Sequence, residues 1–461
     1  MRTGLTLATS VLLVAGGLFV ACGGSSRRSG FDEAPPVDEG DGGAPSLVNG
    51  TPPPAGLAGK RVACSDANVT TTLTGKVYDP AGSTPLYNVA VYIPDWADAN
   101  GTLEPFPEGV QCTTCASTVN KPLVSTLTNT KGEFKLENVP VDKDVPVIVQ
   151  VGKWRRKLTF DITKSCEENK VPDREFRLPK NGQEGDMPQI AVTAGSCDSL
   201  ECLLRGVGLD QSEFVAGHGG TGHVHVFNGQ GGNFPGAPPA GGPNMGGDLW
   251  NDATKMAKYD VLLLSCECDE YNDAKGGTHP MARQAMFDYI NMGGRVFASH
   301  YHYTWFRNSP QGDFKGLAQW SDNGYNGYKE ATVETSFPKG QAMADWLTNV
   351  NGSPDFDIVD PRSDMTAVNS PATTWIVGRK PDRAPRYFSF NAPVTAPSDQ
   401  QCGRGVFGSL HLMGSGSSSS NFPNGCPAPG GLATQQKVLE FLFFDLSACV
   451  SSDSEPPPQP K

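Results

Sequence analysis

The sequence predicts a two-part chain: an antiparallel β-sandwich, then an α/β domain with a parallel sheet and helices on both faces. Two observations carry this. Over residues 61–180 the apolar residues fall in short alternating runs at 70–77, 87–93, 123–128, 133–136, 146–151 and 155–162, bounded by Asp79-Pro80, Lys131-Gly132 and Val139-Pro140. Runs of that length between turn dipeptides read as half-buried strands. Over residues 185–450 apolar runs alternate instead with helical periods, the mark of a parallel sheet with crossover helices.

Taken in order, the second region offers a strand at 190–193, a helix at 199–207, a strand at 223–227, a helix at 252–259 and a strand at 260–264. A helix follows at 281–292, with Met281, Ala285, Met286, Tyr289 and Ile290 along it, and Gly293-Gly294 ends it before a strand at 295–299. This is a βαβ unit. A helix at 340–350, strands at 374–377, 386–390 and 406–411, and a closing helix at 432–446 striped by Leu439, Leu442, Phe443 and Leu446 complete the domain.

The flanks differ in kind. Arg2 and an apolar run at 5–20 read as a secretion signal, too short for a membrane span. The tetrad Phe19-Val20-Ala21-Cys22 resembles the bacterial lipobox, which implies cleavage before Cys22 and lipidation of that residue. Gly23 after it implies, by resemblance to Gram-negative lipoproteins, an outer-membrane address. The signal and lipobox therefore occupy residues 1–22. Residues 23–60 are too polar to offset the entropy of ordering and are expected as a disordered tether, as is the proline-rich tail at 451–461.

Charge narrows the partners. The chain carries a net charge of −12, and the acidic excess lies in the second region, with 17 basic and 27 acidic side chains over 181–450 against 15 and 15 over 61–180. That argues against nucleic acid and suits neutral sugars or cations. The one basic cluster, Lys153 to Lys157, alternates along a strand, so Trp154 is expected inward and the charges split between faces. Gly217-His218-Gly219-Gly220-Thr221-Gly222 fits a dinucleotide pattern, but a strand follows it, so no nucleotide is expected.

Twelve cysteines fit an oxidising compartment. Setting Cys22 aside leaves eleven, so at least one thiol is free or intermolecular. Cys112 and Cys115 are expected to close a small disulfide loop, because a zinc knuckle would need a second pair or nearby histidines. Cys197, Cys202, Cys402 and Cys426 are further disulfide candidates whose partners spacing does not fix.

Two resemblances sharpen the picture. The stretch Leu73-Thr74-Gly75-Lys76-Val77-Tyr78-Asp79, with Pro85 to Val91 and Thr130-Lys131-Gly132-Glu133-Phe134, resembles the transthyretin-like, carboxypeptidase regulatory-like domain. That implies a structural or adhesion accessory without catalytic residues. Tyr259 to Leu264, Phe287 to His300 and Gly405 to His411 resemble the class I glutamine amidotransferase-like fold, a flavodoxin-like arrangement, and more closely its ThuA-like branch. At the position that bears the amidotransferase cysteine this chain has His300, so amidotransferase chemistry is not implied. The ThuA-like likeness implies a sugar-related role.

All seven histidines lie in the second region. His300 and His411 end strands, where open α/β sheets bind ligands. One expected cleft is lined by Glu267, His300, His302, Tyr303 and His411, able to bind a ligand, serve as an acid/base pair or hold a divalent cation. His223 and His225, with His300, are the candidate metal ligands. No organic cofactor is expected. The function expected first is an envelope lipoprotein that binds a glycan or envelope protein. A His/carboxylate hydrolase or isomerase acting on carbohydrate, and a purely structural protein, are the alternatives.

Overall fold

The computed structural model describes residues 55–460, apart from 98–99, 113–114, 116–118, 120–121, 242–247, 278–279, 322–327 and 413–418. Cys22, the signal and most of the tether lie outside the described residues. Eight strands make up the first region: β1 (Thr72–Tyr78), β2 (Ala90–Pro94), β3 (Pro122–Leu127), β4 (Glu133–Glu137), β5 (Asp142–Val151), β6 (Trp154–Ile162), β7 (Glu168–Lys170) and β8 (Phe176–Arg177). They form two four-stranded sheets, β3-β2-β5-β6 and β4-β1-β7 with β8 also on β1. Leu73, Val77 and Phe134 of one sheet share a buried apolar cluster with Val91, Val147 and Val149 of the other. Trp154 is fully buried as expected, while Lys153 pairs with Asp260 and Arg155 with Asp186, so two of the four cations are answered by carboxylates within the chain.

The second region runs β9 (Ile190–Ala194), α1 (Leu200–Val207), β10 (Phe214–Ala216), β11 (Val224–Asn228), α2 (Ala253–Met256), β12 (Val261–Leu264), α3 (Pro280–Asn291) and β13 (Arg295–Ser299). It continues with α4 (Thr304–Arg307), α5 (Gly312–Lys315), β14 (Ala318–Trp320), β15 (Glu330–Val333), α6 (Pro338–Asn351), β16 (Asp355–Asp357), β17 (Asp360–Pro361) and β18 (Met365–Val368). Last come β19 (Thr373–Gly378), β20 (Pro385–Ala392), β21 (Gly403–Gly408), β22 (Leu410–His411) and α7 (Thr434–Ser447). A ten-stranded sheet has the order β10-β11-β9-β12-β13-β21-β20-β19-β15-β16. Its first six strands are parallel, as the periodicity requires. The remaining four are antiparallel, which departs from the expected parallel sheet. The cause is local: β19 and β20 are joined by a short turn, and a parallel pair would need a crossover of a dozen or more residues.

The two regions pack through one continuous core. Trp154 meets Phe443 and Phe444 edge-on, Tyr87 stacks on Phe441, and Trp346 Nε1 donates to Pro85 O at 2.7 Å. Gly293, at φ +115°, makes the turn before β13, and a Cβ there would stand 2.8 Å from the Gln111 carbonyl, so the chain at Gln111 approaches where only glycine leaves room. The disulfides differ from the expected small loop. Cys112 bonds to Cys402 and Cys115 to Cys449, alongside Cys64–Cys166, Cys197–Cys268 and Cys202–Cys426. The spacing was misleading because the loop carrying both cysteines lies against the α/β region, where each meets a different partner.

The tail also departs from expectation. Asp453 is buried, accepts from Ser389 Oγ at 2.6 Å and pairs with Arg404 at 2.7 Å and Lys339 at 3.2 Å. Ser125 Oγ donates to Pro460 O at 2.9 Å. Proline-rich composition marks this segment as poor in regular structure, but Asp453 meets a buried cationic site that anchors it.

Between the regions, Glu440 of α7 faces Asp79 inside the core. Asp79 accepts from the Ser83 and Thr84 amides at 2.7 and 3.1 Å. Burial pushes its carboxyl up to about 6, and burial together with Asp79 pushes Glu440 well above the carboxylate range. Both acids bind protons more tightly folded than unfolded, so their contribution to stability is complete below about pH 4 and is lost as pH rises through about 6 and beyond. Glu440→Gln is expected to stabilise the protein by about 1–3 kcal/mol at pH 7 and to flatten that pH slope. Urea midpoints at pH 5 and pH 8 check it, and an unchanged slope would refute it.

Candidate functional site

The sheet order places a crevice. β9 lies between β11 and β12, so the chain leaves β9 toward one side and later crosses to the other, a topological switch point of the kind at whose carboxyl ends open α/β sheets bind ligands. Four segments deliver side chains there. Cys197 follows β9, Cys266 follows β12, His300 is the first residue after β13, and His411 ends β22. His300 turns sharply at φ +35°, unusual for a residue with a Cβ, which carries the chain from the strand into the 3-10 turn His300–Tyr303.

Three of these side chains converge. Cys266 Sγ lies 3.4 Å from His300 Nδ1 and 3.2 Å from His411 Nε2, and the two nitrogens are 3.1 Å apart. Cys266, His300 and His411 are 0%, 2% and 1% exposed. Cys266 is the free cysteine among the described residues, the odd thiol the count required.

Carboxylates hold both rings from behind. His411 Nδ1 lies 2.7 Å from Asp360 Oδ2, and His300 Nε2 lies 3.3 Å from Asp364 Oδ1. Arg362 grips Asp360 at 2.6 and 2.9 Å, and Ser409 Oγ donates to Asp364 at 2.8 Å. A carboxylate accepts, so His411 donates its Nδ1–H to Asp360, which leaves Nε2 of the neutral ring with a lone pair facing the Cys266 thiol and His300 Nδ1. Asp364 stands behind His300 Nε2 at ion-pair distance. Burial, aided by His300 and Arg362, pushes His411 down to about 4 despite Asp360, and burial with Asp198 pushes the Cys266 thiol up. The amides of Cys268 and Tyr301 oppose that rise.

The other expected residues go elsewhere. Glu267 forms a fully buried ion pair with Lys275 and accepts from the Gln230 amide at 2.8 Å, so it does not join His300. His302 Nε2 is 2.8 Å from Ser265 O, its Nδ1 accepts from Trp305 Nε1 at 3.0 Å, and burial pushes it far below the usual imidazole range. Its partners leave it no free nitrogen. Tyr303 donates to Glu270. His223 and His225 do not share a ligand: His223 Nδ1 is 2.6 Å from Glu213 and His225 Nδ1 is 2.9 Å from the Tyr259 hydroxyl. Two residues apart would put both on one strand face, but His223 precedes β11 and is taken by Glu213.

Sequence reasoning missed Cys266, Asp360, Asp364 and Cys197 as members of this cluster. The odd cysteine count was a signal for the first. Asp360 opens the two-residue β17 and Asp364 sits just before β18, and neither carries a sequence signal.

No protein-family model matches the chain, and neither does any curated protein. Among solved structures it is similar to a putative GMP synthase component from Thermoplasma acidophilum at 8% identity and TM-score 0.29, covering 57% of this chain and 94% of that one. It is similar also to a putative ThuA-like protein from Bacteroides uniformis at 12% identity and TM-score 0.27, covering 56% and 90%. A cohesin–X-dockerin complex from Acetivibrio cellulolyticus matches at 13% identity and TM-score 0.16, covering 28% and 79%. Identities and scores this low assign no family to the chain. Among the described residues no helix is long and apolar enough to cross a membrane, and five disulfides fit an extracytoplasmic setting.

Proposed function

We propose that this is an exported, lipid-anchored envelope protein whose α/β region holds a divalent cation on Cys266, His300 and His411 and hydrolyses a carbohydrate ligand. The observation that carries it is the ligand triangle with its outer carboxylates. Tetrahedral zinc with ordinary bond lengths sets N···N near about 3.3 Å and N···S near about 3.6 Å. The separations here, 3.1 Å and 3.2–3.4 Å, lie within a few tenths of those edges. Histidine ligands are commonly oriented by a carboxylate on the other ring nitrogen, which is the role of Asp360 at His411, with Asp364 at ion-pair distance behind His300. The chemistry such an ion supplies is Lewis-acid polarisation of a substrate oxygen. The protein's own part is to fix the His411 tautomer, keep that ring neutral and exclude bulk water.

A flavodoxin-like core for this region is supported by the order β11-β9-β12-β13-β21, the second, first, third, fourth and fifth of those strands in the chain. The paired sheets of the first region support a transthyretin-like accessory sandwich. Lipidation at Cys22 is tested by the mass of the N-terminal peptide.

Full-length protein purified from an oxidising compartment is expected to carry about one divalent ion per chain by mass spectrometry. Cobalt substitution should give a thiolate charge-transfer band that Cys266→Ser removes, and His300→Gln should release the ion with little change in Tm. A chain that takes up neither zinc nor cobalt would sink the proposal. A second reading, a glycan-binding module without turnover, is favoured by one observation: Tyr301 packs against His300 and begins an aromatic row through Tyr303 to Trp320, with ring centres 6.2 and 6.0 Å apart and the first and last partly exposed. Glycan-array binding that survives His300→Gln would select it.

A further inference from the structure

We infer that Cys197 is a fourth ligand held in reserve, kept off the centre by its disulfide to Cys268, so that the state of this bond decides between an open and a closed metal site. The inference rests on the reading of Cys266, His300 and His411 as ligands. Its geometry is independent of that reading. The ligand atoms of Cys197, Cys266 and His411 all lie within 4.8 Å of one another, and all three residues are buried. Cys197 is nonetheless bonded to Cys268. The two halves of that bond face different surroundings. Cys197 is 7% exposed, whereas Cys268 is exposed and held at φ +69°.

The asymmetry fixes the direction of exchange. A dithiol reductant reaches the Cys268 sulfur first, since thiolates attack the accessible sulfur of a disulfide. Its thiolate bonds to Cys268, and Cys197 leaves as a thiolate beside Cys266 and His411. The reductant's second thiol then displaces Cys268, so that the reductant leaves as a disulfide and the protein gains two electrons and two protons. A zinc ion bound by Cys197 and Cys266 in that state releases two thiol protons to solvent.

Each state has a distinct property. With the disulfide closed, three protein ligands leave a fourth position for substrate, the pattern of catalytic zinc. With it open, the freed Cys197 side chain has to turn toward His300, which lies outside the Cys197, Cys266 and His411 group, and two thiolates with two imidazoles would then complete the tetrahedron, the pattern of structural zinc. Reduction therefore tightens metal binding and closes the site to substrate.

The test compares full-length wild type, Cys268→Ser and the double variant C197S/C268S by zinc competition and cobalt spectroscopy. Cys268→Ser frees Cys197 without reducing the other bridges. It is expected to bind zinc on the order of 100-fold tighter than wild type and to double the thiolate-to-cobalt band, and C197S/C268S should return both to wild-type values. Wild-type affinity and a single-thiolate band in Cys268→Ser, while wild type binds one ion, would overturn the fourth ligand and leave the three-ligand centre standing. No metal on any variant would overturn both. Should Cys268→Ser fail to fold, brief dithiol treatment of wild type with mapping of the opened bridge serves instead. Opening of Cys197–Cys268 with unchanged zinc affinity refutes the inference, and a rise in affinity supports it.

Discussion

Arg404→Met is expected to cost about 3–5 kcal/mol of stability, because it strands two buried carboxylates. Arg404 donates to Asp445 at 2.8 Å and to Asp453 at 2.7 Å from a side chain that is 1% exposed. Lys339 alone would then face both acids, at 3.3 and 3.2 Å. Asp453→Asn removes one of the two charges Arg404 answers and should cost less than Arg404→Met. Against the opposing effect of burial, Arg404 and Lys339 hold the Asp453 carboxyl down at about 2, so this part of the stability is present above about pH 4 and is lost as pH falls through about 2. Urea midpoints across that range, at constant slope, measure it. An Arg404→Met protein with the wild-type midpoint would show that the network contributes nothing net.

The second large effect concerns the two bridges that tie the 96–120 loop to the α/β region. They join residues 290 and 334 positions apart. Cross-links closing such loops constrain the unfolded chain strongly, and each is expected to contribute about 2–5 kcal/mol. Replacing Cys112 and Cys115 with serine together should cost less than twice that, since the loops share most of their length. The expected outcome is a lower urea midpoint, with early protease cutting inside the 96–120 loop. Retention of both the midpoint and the protease pattern would show that the packing of Trp154, Tyr87 and Trp346 suffices by itself.

Much of the fold was legible because burial on both faces leaves a plain mark. The run Val261 to Leu264 and the stretch from Met281 to Ser299 read directly as strand, helix, glycine turn and strand, and the structure has β12, α3 and β13 there. Short strands such as β10, β14 and β16–β18 were not legible, since two to four residues cannot display a period. The site was half legible. His300 and His411 stand at strand ends, where the fold class directs attention. Cys266 was hidden by its neighbours, because Cys266-Glu267-Cys268 looks like one acidic, oxidisable loop. Glu267 drew notice by the same logic, yet its side chain turns to Lys275. Which of three consecutive residues faces a crevice depends on a backbone turn, here φ +69° at Cys268, that composition does not encode.

The bridging pattern bears on how the molecule is made. In chain order the described cysteines are 64, 112, 115, 166, 197, 202, 266, 268, 402, 426 and 449, and none of the five bridges joins neighbours in that series. A chain threaded into its compartment N-terminus first presents Cys112 and Cys115 to an oxidase long before Cys402 or Cys449 has emerged. If the chain is exported as proposed, vectorial passage would favour wrong pairs, and the native molecule would then call for a disulfide isomerase or for delayed oxidation. Recombinant yield should follow isomerase supply more closely than oxidase supply.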